Sequence, residues 1–548
     1  MMYAITQNAV LVLAAFALVL SFLPVSPAES AGQGSAPPRE SLERWLAAVA
    51  VAAFCVAAAI RVSNAPRILW LDDLYTLNLL SAGSLRKLLQ GIITGIDGNP
   101  PEYLTLSWIQ THWIPAGWWE PVLRWTNAIL MGLSGAVLYS ISRRFVPAWI
   151  AIASLIIFYS WNDDAYAAAV GLRTYALFFL VHALSLLLAI RAVEQRSGGS
   201  WIVLGASLVA LVLAHTFGIT YVACIAMGLF ALATVRADSG LALGAVAALA
   251  PALAAFALWV PFMLIQGQTA KPYGWPWWPG FWNLVDQIGV IAISAALAVA
   301  AIKIRFRPAE SVPRAVVQGD PRLVLLLCIG LSEIALSVAV WVFSKYEFPV
   351  FVSRYMVPRI VWEYAALVAA LVAISGSVRW KPGLFAGAAA AVAYSLVGLA
   401  SAPRAAFHEW VPCLNPEHTA FLEDGVDTGG EPIIVESPDA WLPRRTYAHN
   451  EYIFPLDWDV VLKYPLRNKT NAVDYNIMLR FRNWANAGGI ITTDQIRARY
   501  RSFYVLQELK HAWLINYVQT GRSFSSAMEL QPIRATSECR LWHVTVNK

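Results

Sequence analysis

Long apolar runs joined by short polar stretches make up most of this chain, and polar positions gather only in one early loop and near the end. The runs 45–62, 121–142, 146–161, 173–190, 201–217, 218–235, 241–264, 284–302, 322–343, 357–376 and 383–401 are each near the length a helix needs to cross a bilayer. A further run, 9–25, is followed by a Ser/Pro/Gly/Ala-rich linker through Pro38; no basic n-region precedes it, so it reads as an extra membrane helix or an upstream addition to the core. Between Ser63 and Trp108 the pattern changes. Leu74, Leu77, Leu80, Leu85, Leu88 and Leu89 recur at helical spacing with Arg86 and Lys87 opposite, which predicts amphipathic helices lying along a membrane surface. From about 404 onward, strand-like runs at 432–435, 460–462, 503–506 and 541–544 alternate with helical stretches at 474–486 and 494–501.

The expected fold is an α-helical polytopic membrane protein of about 11–12 transmembrane helices with a small C-terminal α/β domain. The expected division is an apolar segment and linker at 1–44, a transmembrane domain at 45–403 with an external loop at 63–120, and a soluble domain at 404–548. Composition agrees: of 548 residues, 58% are hydrophobic and 14% charged. The net charge of +6 does not point to nucleic acid, because the cations are scattered through short joints. Alternating the crossings puts Arg143, Arg144, Arg191, Arg196, Arg236 and the basic 303–322 stretch on one side, which the positive-inside rule makes cytoplasmic. The other, extracytoplasmic side receives Asp72, Asp73, Asp97, Asp163, Asp164 and the tail. Five cysteines without a Cys-x-x-Cys pair argue against a structural zinc site. Cys413 and Cys539 both fall in the external tail, where a disulfide is expected.

Three acids in one loop at a membrane edge are costly to keep there unless they do chemistry. Asp72 and Asp73 are adjacent, and Asp97 opens the turn Asp97-Gly98-Asn99-Pro100-Pro101. A plainer reading has the pair capping the helix that follows. Arg173 and Tyr175 enter an apolar run just after Asp164, and Lys345, Arg354 and Tyr355 border a late one. Arginine suits phosphate because its planar fork binds two oxygens, though an interfacial Arg/Tyr belt uses the same residues. His215 ends a run, where a hydrogen-bonded packing role is the commoner one. Glu333 and Glu363 lie inside predicted spans and are expected to pair within the bundle. The loop of Lys271, Tyr273, Trp275, Trp277 and Trp278 reads as an interface anchor.

The order Trp-x-Asp-Asp-x-Tyr-Thr, a leucine-rich amphipathic piece, then Asp-x-Asn-Pro-Pro-x-Tyr-Leu resembles the first external loop of the polyprenyl-phosphate-sugar-dependent C-type glycosyltransferases. Protein O-mannosyltransferases and the lipid A aminoarabinose transferase belong to this superfamily. Gly171-Leu172-Arg173-Thr174-Tyr175-Ala176-Leu177, His215-Thr216-Phe217-Gly218 and Arg354-Tyr355-Met356-Val357-Pro358 are similar to later motifs of that group. The group usually carries Asp-Glu where this chain has Asp72-Asp73, and Glu where it has Gly171.

The resemblance implies transfer of a sugar from a polyprenyl-phosphate carrier to a hydroxyl of a glycan, lipid or protein acceptor, with inversion, at the outer face of the cell membrane. Asp72 and Asp73 become the catalytic candidates, and Arg173, Arg354 and Lys345 the donor-phosphate ligands. Asp97, Asp164, Tyr175, His215 and Tyr355 are further site candidates. Asp73 and Asp97 are the residues to hold a divalent cation, magnesium or manganese, should the reaction use one. The rival class is a transporter or lipid-handling protein without chemistry; the acid-bearing loop and the soluble tail weigh against it.

Overall fold

The computed structural model describes residues 51, 68–270, 279–284, 320–347, 350–377, 411–417, 420–457, 471–509, 513–515 and 528–546. The expected spans 9–25, 45–62, 284–302 and 383–401, the strand at 460–462 and the tryptophan-rich 271–278 loop lie wholly or almost wholly outside these residues. The early loop folds into three short helices, α1 (Leu71–Leu80), α2 (Leu85–Ile93) and α3 (Glu102–Thr111). Ser84 starts α2 by accepting the Lys87 N–H at 3.2 Å. The leucine spacing did predict helices, and Leu74, Leu79, Leu80 and Leu88 are buried among their neighbours.

The helical body follows as α4 (Trp119–Ser142), α5 (Ala148–Trp161), α6 (Asp163–Val170), α7 (Tyr175–Gln195), α8 (Gly198–Ala214), α9 (Gly218–Arg236), α10 (Ser239–Ala270), α11 (Pro321–Tyr346) and α12 (Ile360–Ser377). A 3-10 stretch, Ser353–Arg359, leads into α12. Among the described residues α7, α9, α10 and α11 are long and apolar enough to cross a membrane, and α5 and α8 hold shorter apolar stretches. α8 packs against α7 and α10, α9 against α11, and α4 against α7. Small residues permit these crossings: a Cβ on Gly228 of α9 would stand 2.3 Å from the Ile329 side chain of α11. Glu333 does pair inside the bundle, accepting from Trp362 Nε1 at 2.7 Å and meeting His182 Nε2 at 2.9 Å. Glu363 likewise meets Arg359 at 2.6 Å.

The body has two unlike ends. At one, Arg144 and Arg322 share Glu194 at 3.3 and 3.4 Å, and Arg196 meets Asp238 at 2.7 Å. At the other, the helix joints at 171–174 and 215–217, the 3-10 stretch and the end of α10 meet the three early helices. Thr216 Oγ1 donates to Gly98 O at 2.7 Å, and Gln266 Nε2 donates to Ile92 O and Asp97 O at 3.0 and 3.2 Å.

The C-terminal part is a six-stranded sheet of order β3-β2-β1-β4-β6-β5. Its strands are β1 (Ile433–Val435), β2 (Tyr452–Pro455), β3 (Ile490–Ile491), β4 (Ser502–Glu508), β5 (Met528–Ala535) and β6 (Cys539–Val546). The first four run parallel, and β6 and β5 add an antiparallel edge. The crossovers carry α13 (Pro438–Tyr447), α14 (Asn471–Ala485) and α15 (Thr493–Arg499). Strands at 433–435, 503–506 and 541–544 and both tail helices appear where expected. Cys413 and Cys539 are bonded, with Cα atoms 5.4 Å apart. This sheet domain is fastened to the early helices. Leu69 N–H donates to Tyr447 Oη at 3.4 Å, Trp484 Nε1 donates to Lys87 O at 2.9 Å, and Arg480 donates to Thr94 O. Phe481 meets the Tyr75 ring edge-on at 6.1 Å.

Candidate active site

The first turn of α1 supplies two carboxylates with different surroundings. Trp70 is the N-cap and no side chain caps the helix, so neither aspartate is engaged as a cap. Asp72 Oδ2 meets Arg354 Nη2 at 3.2 Å, and the Arg354 guanidinium lies 4.6 Å from the centre of the Trp70 ring. Asp73 turns inward and is 8% exposed; its Oδ1 accepts the Leu172 N–H at 2.7 Å. Burial is the main force on Asp73, and it raises the carboxyl to about 6 against the opposing pull of Arg173 and the Leu172 N–H.

Leu172 is held in place by α4. Asn127 Nδ2 donates to Gly171 O and Arg124 Nη1 to Val170 O, so the joint between α6 and α7 is fixed from behind. That joint aims Arg173 at the loop: Nη1 donates to Asp97 Oδ2 at 2.6 Å, to Asp72 O at 3.2 Å and to Thr76 Oγ1 at 3.4 Å. Asp97 in turn accepts the Asn99 N–H at 2.8 Å and Asn99 Nδ2 at 2.9 Å through Oδ1. Burial works against the Arg173 charge, but Asp97 and Asp72 outweigh it and lift the guanidinium above its ordinary value. Thr76, Asp97, Asn99, Tyr103, Arg173 and Thr174 line a tight cleft here.

His215 closes the group. Its Nδ1 accepts the Phe217 N–H at 3.1 Å, which leaves the ring proton on Nε2. The ring stacks on Phe178 at 4.6 Å and lies 5.5 Å from Tyr355 and 5.7 Å from Tyr175. Within this cluster, Arg173 Nε, Arg354 Nε and His215 Nε2 are buried donors without a hydrogen-bond partner among the described residues. A buried N–H left unpaired costs about 1–3 kcal/mol, more when charged, so three together mark where an anion fits.

Of the sequence candidates, Asp72, Asp73, Asp97, Arg173, Tyr175, His215, Arg354 and Tyr355 come together. Asp164 does not join them; it pairs with Arg359 beside Glu363. Lys345 is exposed near the end of α11 and has no ion pair among the described residues. Of the two residues named for a divalent cation, Asp73 accepts from Leu172 and Asp97 from Arg173 and Asn99; among the described residues no three His, Cys, Asp or Glu side chains group together. Asn127 and Gln266 escaped the sequence reading, and Trp70 entered it only as the first residue of the Trp-x-Asp-Asp-x-Tyr-Thr motif, without a role of its own.

No protein-family model matches the chain, and no curated protein sequence does. Among solved structures, the crystal structure of ArnT from Cupriavidus metallidurans bound to undecaprenyl phosphate superposes with a TM-score of 0.50 at 13% identity, covering 92% of this chain and 98% of that one. The same protein in the apo state gives a TM-score of 0.44 at 13% identity over the same shares. The chain thus shares the fold of that structure: a helical membrane body joined to a small sheet domain.

Proposed function

We propose that this protein is a membrane glycosyltransferase that moves a sugar from a polyprenyl-phosphate carrier to an acceptor hydroxyl at the outer face of the membrane. The observation that carries the reading is the trio of buried, unpartnered N–H donors on Arg173, Arg354 and His215 beside Asp72. It lies in a fold shared with a protein crystallised on undecaprenyl phosphate.

The carrier phosphate enters between Arg173 and Arg354, which neutralise it as it leaves, and His215 Nε2–H completes its hydrogen bonds. Arg354 is shared between Asp72 and the phosphate, so donor binding draws it off the carboxylate. The acceptor oxygen attacks the anomeric carbon as the bond from that carbon to the phosphate oxygen breaks. The electron pair stays on the phosphate, and the acceptor proton passes to Asp72. Attack opposite the leaving group inverts the centre. Asp73 does not touch the reactants in this scheme; by gripping Leu172 it positions Arg173.

The test uses purified full-length protein and an undecaprenyl-phosphate-linked sugar. Asp72→Asn is expected to lower turnover by about 10²–10⁴ while undecaprenyl phosphate still binds. Arg173→Ala and Arg354→Ala are expected to weaken that binding instead. A fully active Asp72→Asn enzyme would remove Asp72 as the base, and a wild-type protein that never binds the lipid phosphate would sink the whole assignment.

A further inference from the structure

Sheets of this kind form a crevice at the carboxyl ends of the strands where the order reverses, and in this chain the helix that starts there, α13, packs on α1. With strand order β3-β2-β1-β4 and all four parallel, the crossovers β1–α13–β2 and β2–α14–β3 run one way, and β3–α15–β4 runs the other. Right-handed crossovers then put α13 and α14 on one face and α15 on the opposite face. The sheet therefore switches direction between β1 and β4, and in such sheets ligands bind outside the carboxyl ends of the strands flanking that point.

The residues there are Glu436 and Ser437 just after β1, Asp439 in the first turn of α13, and Glu508 closing β4. Trp513 stands beside them, its N–H donating to Glu436 Oε2 at 2.9 Å. Two further groups point to a ligand. Ser437, 1% exposed, occupies the N-cap of α13 yet makes no cap bond, and its Oγ has no partner among the described residues. Trp513, also 1% exposed, leaves its indole Nε1–H equally unpartnered. α13 packs on α1, and the Asp439 carboxyl lies within reach of the charges of Glu508, Asp72 and Arg354.

We propose that this crevice holds the ring of a carbohydrate, with Asp439, Ser437 and Trp513 taking its hydroxyls and presenting it to Asp72. The inference rests on the glycosyltransferase reading above and names a second, sugar-binding part of that site. Glu436, Ser437, Asp439, Glu508 and Trp513 offer a phosphate neither a cation nor a glycine-rich turn, while carboxyl, hydroxyl and indole N–H are the groups that pair with sugar hydroxyls. Burial first, then Glu508 and Asp72, push Asp439 up to about 8, so near neutrality it carries a proton and both donates and accepts. The ring is either the sugar on the carrier or one belonging to the acceptor.

Full-length protein in lipid nanodiscs separates these cases, comparing wild type with Asp439→Ala and Ser437→Ala. Three probes are measured: undecaprenyl phosphate, undecaprenyl phosphoglucose, and a panel of methyl glycosides followed by saturation-transfer NMR. Undecaprenyl phosphate should bind all three proteins alike, which also shows that the variants fold. If the crevice takes the carrier's sugar, the variants lose about fivefold in affinity for undecaprenyl phosphoglucose, near the worth of one hydrogen bond. If it takes an acceptor ring, the loss appears in the methyl glycoside signal and not in the donor. Variants that match wild type on both sugar probes, with undecaprenyl phosphate binding intact, overturn the proposal. So does a wild type that binds neither the phosphoglucose more tightly than the bare phosphate nor any glycoside. Failure of wild type to bind undecaprenyl phosphate overturns the glycosyltransferase reading itself.

Discussion

Successive helical residues project about 100° apart, so two adjacent aspartates cannot share one environment. Asp72 faces Arg354, while Asp73 is turned onto the backbone of Leu172. The folded carboxyl of Asp73 titrates near 6, above its unfolded value, so ionising it works against the fold. That cost is absent below the unfolded value, grows as pH rises, and is complete above about 6. Asp73→Asn keeps an acceptor for Leu172 and removes the charge. Its melting temperature in detergent is expected to gain on wild type between pH 4 and pH 6.5 and then run parallel. The full difference is on the order of 2–3 kcal/mol. A gap that stays constant across this range would contradict the buried charge. Asp72, Asp97, Arg173 and Arg354 were readable from sequence because charges beside apolar runs stand out. Asn127, Gln266 and Asp439 were not: one polar residue in a span, or one acid in a polar tail, has no local mark, and its role comes from what the fold sets against it.

Among the elements, the joint between α8 and α9 does the most to set the site. Phe217 N–H and Gly218 N–H both return to His215, fixing the ring among Phe178, Tyr175 and Tyr355. A Cβ at Gly218 would stand 1.9 Å from Leu211 O, a backbone atom that cannot swing aside. Gly218→Ala is therefore expected to destabilise the protein by about 1–3 kcal/mol and to weaken undecaprenyl phosphate binding. An unchanged melting temperature and affinity would show that the joint relaxes at no cost. The helical period made these elements legible, since runs of apolar residues leave few alternatives. The missed pieces broke their own patterns. α13 contains Pro438 and Pro443 and reads as a loop, and β3 has only two residues. β5 carries Pro532 and is almost wholly exposed, which an edge strand tolerates and a sequence pattern does not reveal.

At the scale of the whole molecule, the polar joints sort to two ends, arginines with Glu194 and Asp238 at one and the aspartate loop with the sheet domain at the other. The sequence anticipated this by alternating its crossings. Reporter fusions after Arg144 and Arg236 are expected to behave as cytoplasmic, and those after Gly98 and Asn450 as external. A cytoplasmic signal from the Asn450 fusion would invert the proposed site. What the sequence did not show is how the tail meets the loop, because those contacts join residues hundreds of positions apart and mostly use backbone groups of the loop.

Those contacts redraw the boundaries along which the protein could be recombined. Tyr447, Arg480, Phe481 and Trp484 grip Leu69, Thr94, Tyr75 and Lys87, so the sheet domain has a counter-surface in the early helices α1 and α2. A chimera that exchanges the tail alone would set a foreign surface against α1 and strip Trp484 from its place over Gly91. The interchangeable unit is discontinuous, early loop plus tail. Related chains are then expected to vary these two segments in concert, as paired halves of one specificity module carried on a common membrane body.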